Sequence, residues 1–309
     1  MSVTKPSLRH LIGGHIRLEA DTPLDCMFQC FLTNNHGHFA ESRVKAWKEF
    51  GIHFPPSSKR IVHASYVTFP WSSEEETRTK SVADIAFASR CANILGLWGL
   101  NVHLPKEYHL SAGFKKRVEE CFLACEPPCK LLFEITGSST IYVSEGKLPP
   151  LPIHRMRLCQ AAVEEVAKRV KREEDWGFCL DTAHAFVQGQ PLTTEKDVQS
   201  FVEEAKGVRI AAVHLNGSRH PFNSGRDQHA ATGVPADYIW GRDSSGLCPL
   251  LRWIVANDIP TVLERPGLSR PAEYEEEVAR LATLVSAVTP PSAVTPPSAV
   301  TPPSVVEKV

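Results

Sequence analysis

The sequence lacks the features that would assign it to a membrane, secreted or dinucleotide-binding class. It has no apolar run of the roughly 18 residues needed to cross a bilayer. Its first residues, MSVTKPSLRHLIGGH, lack the apolar core and cleavage site of a signal peptide. No Gly-x-Gly-x-x-Gly motif follows the first predicted strand. We therefore expect a soluble intracellular protein without a membrane partner, in a nuclear, cytoplasmic or virus-associated location.

The net charge argues against attraction of nucleic acid by the overall field, and the cysteine spacing argues against a cysteine metal site. The 309 residues carry a formal net charge of −1, so no overall field attracts nucleic acid, and an anionic ligand would need a local positive site. The nine cysteines are dispersed and should be reduced in an intracellular chain. Cys121, Cys125 and Cys129 recur every four residues, but Pro127 and Pro128 interrupt the helix that would align them. We interpret them as a half-buried helix end rather than a metal site.

The C-terminal residues 286–309 contain three copies of the hexapeptide SAVTPP. Paired prolines remove backbone donors and favour extended, solvated chain. We expect this segment to be a disordered tail outside the chemistry, with a role as a docking peptide left open. Residues 1–285 are predicted to form a single domain.

Eight short β-type runs, apolar nearly throughout, recur along that domain. They cover residues 10–16, 27–32, 60–66, 97–104, 130–135, 176–181, 208–216 and 259–264. Uninterrupted apolar runs are typical of strands covered on both faces in a parallel sheet. Helical patterns lie between most of them, so the sequence predicts an α/β fold, a (β/α)8 TIM barrel, with an open doubly wound sheet as the alternative.

Apolar residues at helical spacing predict the helices. They cover residues 153–173, 194–206, 247–257 and 272–284. A further helix follows a capping box formed by Ser72 and Glu75 and stops at Gly96. Residues 33–59 carry a weaker pattern.

Ionisable side chains stand at or near the ends of six successive predicted strands. These are His63, His103, Glu134, Asp181, His214 and Glu264, and the loops that follow add His184, Asp227 and His229. In a barrel the carboxyl ends of the strands converge on one mouth. Each residue alone has an ordinary explanation; Asp181, for instance, could cap a helix. The common placement of all nine predicts a shared site.

Imidazoles and carboxylates favour zinc or manganese over a thiophilic metal. A catalytic zinc takes about three protein ligands, so nine would suit about three ions, or two with supporting groups. With its carboxylates included, a mouth holding three divalent ions would carry about +2, the sign needed to bind a phosphodiester.

Four segments carry a resemblance to a known family. They are GGHI at 13–16, CLDTAHAF at 179–186, VHLNGSRHPFNSGRDQH at 213–229 and VLER at 262–265. They resemble, in order, the opening motif, the Asp-Thr-x-His-x-Phe signature, the His-Leu-Asn segment with its Asp-Arg-His, and the last ligand strand of endonuclease IV. This is the zinc-dependent apurinic/apyrimidinic endonuclease family of the xylose isomerase-like barrel superfamily. The resemblance runs from about residue 12 to 283.

The resemblance implies three Zn²⁺ ions, with Mn²⁺ as an alternative at one site, and a partner that is double-stranded DNA with abasic sites or blocked 3′ ends. Glu134 would bridge two ions, and it and Glu264 are the predicted catalytic carboxylates. The implied ligand sets are His63 and His103; Asp181, His214 and Glu264; and His184, Asp227 and His229. A metal-bound hydroxide would cut the phosphodiester 5′ to the abasic site and leave a 3′-hydroxyl. We expect a monomer.

The same resemblance predicts DNA contacts at six positions. They are His15, His36, Tyr66, Val67, Asn216 and Arg226. Tyr66 and Val67 stand where the family has an intruding Tyr-Leu pair, although ordinary strand-end packing would also explain them. The chain departs from the family where His36 replaces an inserted arginine, where Ile135 begins an ITGSS segment, and where Gly217 replaces an acidic residue.

Two other functions remain open at this point. A sugar isomerase or epimerase of the xylose isomerase-like barrels would share the fold and a strand-end metal site, but would leave Asp227 and His229 without a role. A non-catalytic binder of damaged DNA would retain the fold with residual zinc.

Overall fold

The chain forms a closed parallel barrel in the computed structural model, which describes residues 10–19, 22, 25–32, 36–37, 53–55, 59–105, 112–137 and 151–286. The barrel strands are β1 (Ile12–Arg17), β2 (Phe28–Phe31), β3 (Ile61–His63), β4 (Gly99–His103), β5 (Lys130–Glu134), β6 (Trp176–Asp181), β7 (Ile210–His214) and β10 (Thr261–Leu263). They follow one another around the barrel in chain order, and β10 pairs with β1 to close it. The predicted (β/α)8 architecture is confirmed.

Helices surround the barrel between its strands. They are α1 (Glu75–Leu95), α2 (Ala112–Ala124), α3 (Pro152–Arg169), α4 (Thr182–Val187), α5 (Glu195–Glu204), α6 (Leu247–Ala256) and α7 (Glu275–Ser286), with a 3-10 turn at Pro271–Tyr274. A two-stranded antiparallel hairpin, β8 (Gly217–Ser218) and β9 (His229–Ala230), follows β7. These two strands are too short to leave a sequence pattern, and they carry His229 to the barrel mouth.

The barrel strands are buried on both faces, which accounts for their uninterrupted apolar runs. All six residues of β6 are buried. One apolar cluster fills the barrel interior and a larger one packs the helices against the outside. The interior cluster consists of Met27, Ile61, Leu132, Cys179, Ala212 and Val262. It closes the barrel, so the chemistry is confined to the mouth.

The five predicted helices form, but not every boundary follows the sequence signals. The helix predicted over 153–173 ends at Arg169, and residues 271–274 form a 3-10 turn before α7. Gly96 ends α1 in the left-handed conformation at φ 72°, as predicted. The predicted capping box of Ser72 and Glu75 is wrong, because α1 begins at Glu75 itself and its N-cap residue, Glu74, makes no side-chain capping bond. The Ser72 hydroxyl instead accepts a hydrogen bond from the Glu74 amide, at 3.1 Å.

A complete capping box does begin α5. The Thr194 hydroxyl accepts from the Asp197 amide at 3.2 Å, and the Asp197 carboxylate accepts from the Thr194 amide at 2.9 Å. Thr194→Ala should lower the free energy of unfolding by about 1 kcal/mol, because one amide at the helix start loses its acceptor. Urea unfolding checks this, with Thr193→Ala as the matched control. Equal stability of the two variants would contradict it.

The remaining sequence predictions concern the chain end and the cysteines. Ser286 is the last residue of α7, and the predicted tail beyond it lies outside the described residues, as does most of 33–59. The division at 285/286 stays a prediction. None of the nine cysteines, all within the described residues, forms a disulfide, and Cys121, Cys125 and Cys129 are fully rather than half buried. No helix within the described ranges is both long and apolar enough to span a membrane.

Candidate metal centre

Six strands of the barrel deliver an ionisable side chain to the same mouth. His63, His103, Glu134, Asp181 and His214 are the last residues of β3 to β7, and Glu264 follows β10 directly. Strand register places His103 beside Glu134 and Asp181 beside His214. The structure therefore brings together residues that are up to two-thirds of the chain apart, as the sequence predicted from strand ends alone.

Glu134 lies at the centre of the first group. Its Oε2 is 3.3 Å from Nε2 of His63 and 3.4 Å from Nε2 of His103. Its other oxygen, Oε1, is 3.2 Å from Nδ1 of His214. The side chain is fully buried, and Asn101 donates a hydrogen bond to Oε2. One carboxylate thus faces two separate sets of imidazoles.

The second group contains Asp181, His214 and Glu264. Nδ1 of His214 lies 3.4 Å from Oε2 of Glu264 and 3.7 Å from Oδ2 of Asp181. The Asp181 carboxylate also caps α4, because its Oδ1 accepts from the His184 amide at 2.9 Å. Asp181 therefore both caps a helix and belongs to the cluster, because Oδ1 accepts from the helix amide and Oδ2 faces His214.

The third group joins α4 to the β8–β9 hairpin. Nε2 of His184 lies 3.0 Å from Asp227, and Nε2 of His229 lies 3.3 Å from the same carboxylate and 3.5 Å from Asp181. The His229 Nε2 atom is buried and makes no hydrogen bond of good geometry. A buried ring nitrogen that faces two carboxylates without a proper partner is what a cation ligand presents.

Hydrogen bonds fix the orientation of three imidazoles. Nδ1 of His63 and Nδ1 of His184 lie 2.6 and 2.7 Å from backbone carbonyls, and Nε2 of His214 lies 2.9 Å from Oε1 of Gln29. A carbonyl oxygen only accepts, so each of these nitrogens donates. The opposite ring nitrogen then faces the carboxylates and can offer its lone pair to a cation bound between them, the arrangement found for histidines that bind metals.

The electrostatics indicate that this mouth attracts positive charge. Burial lowers the pKa of His184, but Asp181 and Asp227 outweigh it and hold that pKa well above its usual value. Burial raises the pKa of Glu134, yet the neighbouring His214 and His103 hold it well below its usual range. Bound protons therefore supply positive charge beside the carboxylates, and divalent cations would supply it instead. Cation binding should release protons and weaken as the pH falls.

The residues fit a divalent metal. In three groups of side chains, each residue offers one ligand atom, and these atoms lie within 4.8 Å of one another. The three groups contain only imidazole and carboxylate: His63, His103 and Glu134; Asp181, His214 and Glu264; and Asp181, His184 and His229. Nitrogen and oxygen donors of this kind suit zinc and manganese. Cys179 lies near Glu134 and His214, but burial raises the pKa of its thiol to about 12, which keeps it protonated.

The six residues predicted to contact DNA differ in how exposed their side chains are. His36, Tyr66 and Arg226 are exposed, and Val67 is partly exposed. The Tyr66 ring, 48% exposed, stacks on His103 at 5.7 Å and 16°. His15, by contrast, is largely covered and bonds Glu264 at 2.9 Å.

The prediction for Asn216 needs correction. Its side chain is completely buried and bonds Asp181 and Glu264, so it lies behind the carboxylates where a duplex would not reach it. The resemblance to endonuclease IV predicted a DNA contact at this position, but the Asn216 side chain is enclosed among the carboxylates.

Two buried polar residues of the cluster were missed from the sequence. Gln29 links His214 to Glu264, with 2.9 Å to each, and Asn101 holds Glu134. Each carried a usable signal. Gln29 is the lone polar side chain inside an apolar run, and Asn101 precedes His103 by two residues, on the same strand face.

The departure at Gly217 has a structural explanation. A Cβ atom at this position would lie 2.5 Å from the carboxylate carbon of Asp237. That carboxylate accepts from the amides of Ser218, Gly233 and Ile239, at 2.8 to 3.0 Å. An acidic side chain from elsewhere in the chain thus covers Gly217 and ties the β8–β9 hairpin to the following loop.

Gly137 allows the third group to close. A Cβ atom there would lie 2.7 Å from Cδ2 of His184 and 2.9 Å from Cβ of Asp227. Gly137→Ala should therefore push these two side chains apart and weaken divalent-ion binding by about tenfold, while the fold persists. Zn²⁺ titration against a competing chelator measures this, with Gly99→Ala, whose nearest contacts are 3.3 Å, as control. Unchanged affinity in Gly137→Ala would contradict it.

Comparison with known proteins agrees with this geometry. The model of the xylose isomerase-like TIM barrel family matches residues 27–284, and the chain belongs to that family. The probable endonuclease 4 of Symbiobacterium thermophilum is 29% identical over 300 residues, which span 89% of this chain and 99% of that protein. The resemblance to endonuclease IV that the sequence motifs predict is confirmed.

Solved structures show the same fold. Endonuclease IV from Thermus thermophilus superposes with a TM-score of 0.59 at 21% identity, covering 90% of this chain and 98% of that one. A D-tagatose 3-epimerase-like protein superposes with a TM-score of 0.54 at 16% identity, with the same coverage. The barrel is therefore shared by nucleases and epimerases, and the side chains at the mouth must distinguish them.

Proposed function

We propose that this protein is a metal-dependent DNA-repair endonuclease that cuts the phosphodiester 5′ to abasic sites and leaves a 3′-hydroxyl. The observation that carries the proposal is the convergence of five histidines and four carboxylates in overlapping groups at one barrel mouth. The similarity to the probable endonuclease 4 of Symbiobacterium thermophilum over 89% of this chain supports it.

Each of the three groups would hold one divalent ion. His63 and His103 would hold the first, Asp181, His214 and Glu264 the second, and His184, Asp227 and His229 the third, with Glu134 shared by the first two. Ions at these positions would acidify a water molecule and neutralise the phosphate oxygens during in-line displacement. The protein itself contributes a set of donors, most of them buried, in which hydrogen bonds already orient the imidazoles of His63, His184 and His214.

The rim of the mouth supplies contacts to the nucleic acid. Tyr66 is exposed and stacked on His103, so its free face can lie against a base or deoxyribose beside the lesion. His36 lies 5.6 Å from the Tyr66 ring, and Arg226 is exposed on the loop that leads to Asp227. An abasic nucleotide costs little to turn out of the duplex, because no base is stacked or paired.

A duplex with one stable abasic analogue tests the proposal. Protein loaded with Zn²⁺ should incise it 5′ to the lesion, a chelator should abolish incision, and a polymerase should extend the new end because it carries a 3′-hydroxyl. An intact duplex of the same sequence serves as control. Binding without incision would indicate a damage sensor and would overturn the nuclease proposal.

A sugar isomerase or epimerase is the second candidate, favoured by the likeness in fold to the D-tagatose 3-epimerase-like protein. Such an activity would use the first two groups and leave Asp227 and His229 unexplained. The third group is therefore the feature that separates the two functions.

A further inference from the structure

A buried arginine lies directly behind the cluster, outside every ligand set. Arg265 follows Glu264, is 8% exposed, and donates from its guanidinium to the side-chain oxygen of Asn216 at 2.7 Å. It also donates to the backbone carbonyls of Glu264 and Leu215, at 3.0 and 3.2 Å. From the other side it forms a two-point ion pair with Glu277 of α7, at 2.9 and 2.6 Å.

These contacts determine which way the Asn216 amide points. Its Oδ1 receives two donors, the Glu264 amide at 2.9 Å and Arg265 at 2.7 Å. Its Nδ2 faces two acceptors, Asp181 at 2.8 Å and Glu264 at 3.3 Å. A flipped amide would set donor against donor and oxygen against carboxylate at all four contacts, so one orientation is strongly preferred.

The carboxylate oxygens that Asn216 holds are the ones that face the imidazoles. Oδ2 of Asp181 lies 3.5 Å from His229 and 3.7 Å from His214. Oε2 of Glu264 lies 3.4 Å from His214 and 3.7 Å from His229. The amide therefore restrains one oxygen of each carboxylate at the boundary between the second and third groups.

We propose that Arg265, anchored by Glu277, is a positioning residue that locks the Asn216 amide and thereby sets Asp181 and Glu264 for divalent-ion binding. Glu277 is itself fixed, because it accepts from the amide and hydroxyl of Thr232, at 2.9 and 2.8 Å. The line of contacts runs from α7 through Arg265 and Asn216 to the mouth. The inference rests on the proposed function only in that the cluster must bind a divalent ion.

Arg265→Lys is the primary test, because lysine keeps the charge but cannot donate to Glu277, Asn216 and the Glu264 carbonyl together. Zn²⁺ affinity, measured by chelator competition, should fall about 10- to 100-fold. Glu277→Gln, a milder change that keeps the shape, should act in the same direction with a smaller effect. Thermal unfolding of the metal-free proteins, measured in parallel, reports any purely structural role.

Arg280→Lys is the matched control. Arg280 also lies on α7, bonds the same Thr232 at 3.0 Å and pairs with Glu277 at 3.7 Å, but it does not contact Asn216. Lysine keeps the positive charge opposite Glu277, so the anchor of Arg265 is preserved. Its Zn²⁺ affinity should equal that of the wild type. If Arg265→Lys and Glu277→Gln lower the unfolding temperature but leave Zn²⁺ affinity unchanged, the positioning role is overturned.

The outcomes separate this inference from the nuclease proposal. A wild-type protein that binds Zn²⁺ without cutting an abasic duplex would overturn the proposed function, while the affinity ratios would still decide the role of Arg265. A wild-type protein that binds no Zn²⁺ would overturn both.

Discussion

Replacing Glu134 with glutamine should abolish most incision of abasic DNA, lowering the rate by about a thousandfold or more. Its two oxygens face His63 and His103 on one side and His214 on the other. The neutral amide removes the charge and turns an NH₂ group against one of these imidazoles, so both neighbouring groups lose a ligand. Metal ions supply several kcal/mol of charge stabilisation in such reactions, and each 1.4 kcal/mol is about tenfold in rate.

Steady-state incision of the abasic duplex measures this effect. Glu165→Gln is the control, because Glu165 is an exposed glutamate that pairs with Lys115 on the barrel exterior. It should cut at the wild-type rate. If Glu134→Gln folds and retains more than about a tenth of wild-type activity, Glu134 does not join two metal sites.

His229→Ala should have the second largest effect, and it separates the two candidate functions. The imidazole lies between Asp227 and Asp181, at 3.3 and 3.5 Å, so its loss opens the third group. A nuclease that uses three groups should lose about a hundredfold or more in incision rate. An isomerase with a one- or two-metal centre would barely respond.

His220→Ala is the control from the same loop, because the structure assigns no side-chain contact at the cluster to His220. Both variants should be measured for incision and for turnover of ketohexoses. Loss of incision in His229→Ala alone supports the nuclease. Ketohexose turnover that survives in His229→Ala, without incision by the wild type, would establish the epimerase instead.

The barrel and its mouth could be predicted because they depend on patterns of residue type along the chain, which can be recognised without atomic coordinates. Strands covered on both faces must be apolar throughout, and the carboxyl ends of parallel strands must converge. The side chains of His63, Glu134 and Asp181 were therefore placed at one mouth from the ends of their strands. The resemblance to endonuclease IV added their grouping, which stays a prediction. In the structure His63 lies 3.3 Å from Glu134 of its own set, and His229 lies 3.5 Å from Asp181, a residue of the second set.

The sequence could flag a supporting residue as unusual but could not give its role, because that role depends on side-chain direction across the barrel. Gln29 is a single polar residue in an apolar run, and only the structure of the closed barrel shows that its side chain bonds both His214 and Glu264. Asn216 lies two residues after His214 in the sequence, but its side chain points inward. The hydrogen bond from Arg265 that helps hold it there is visible only in the structure. The capping box at Ser72 was wrong because the backbone there turns before α1 begins.

The central claim is that the barrel mouth binds divalent metal, and the metal content of the purified protein tests it most directly. After incubation with Zn²⁺ and removal of the unbound ion, elemental analysis should find about three ions per chain in the wild type. Glu134→Gln should retain fewer. A folded wild-type protein that holds less than about one ion per chain, with Mn²⁺ no better than Zn²⁺, would contradict the account.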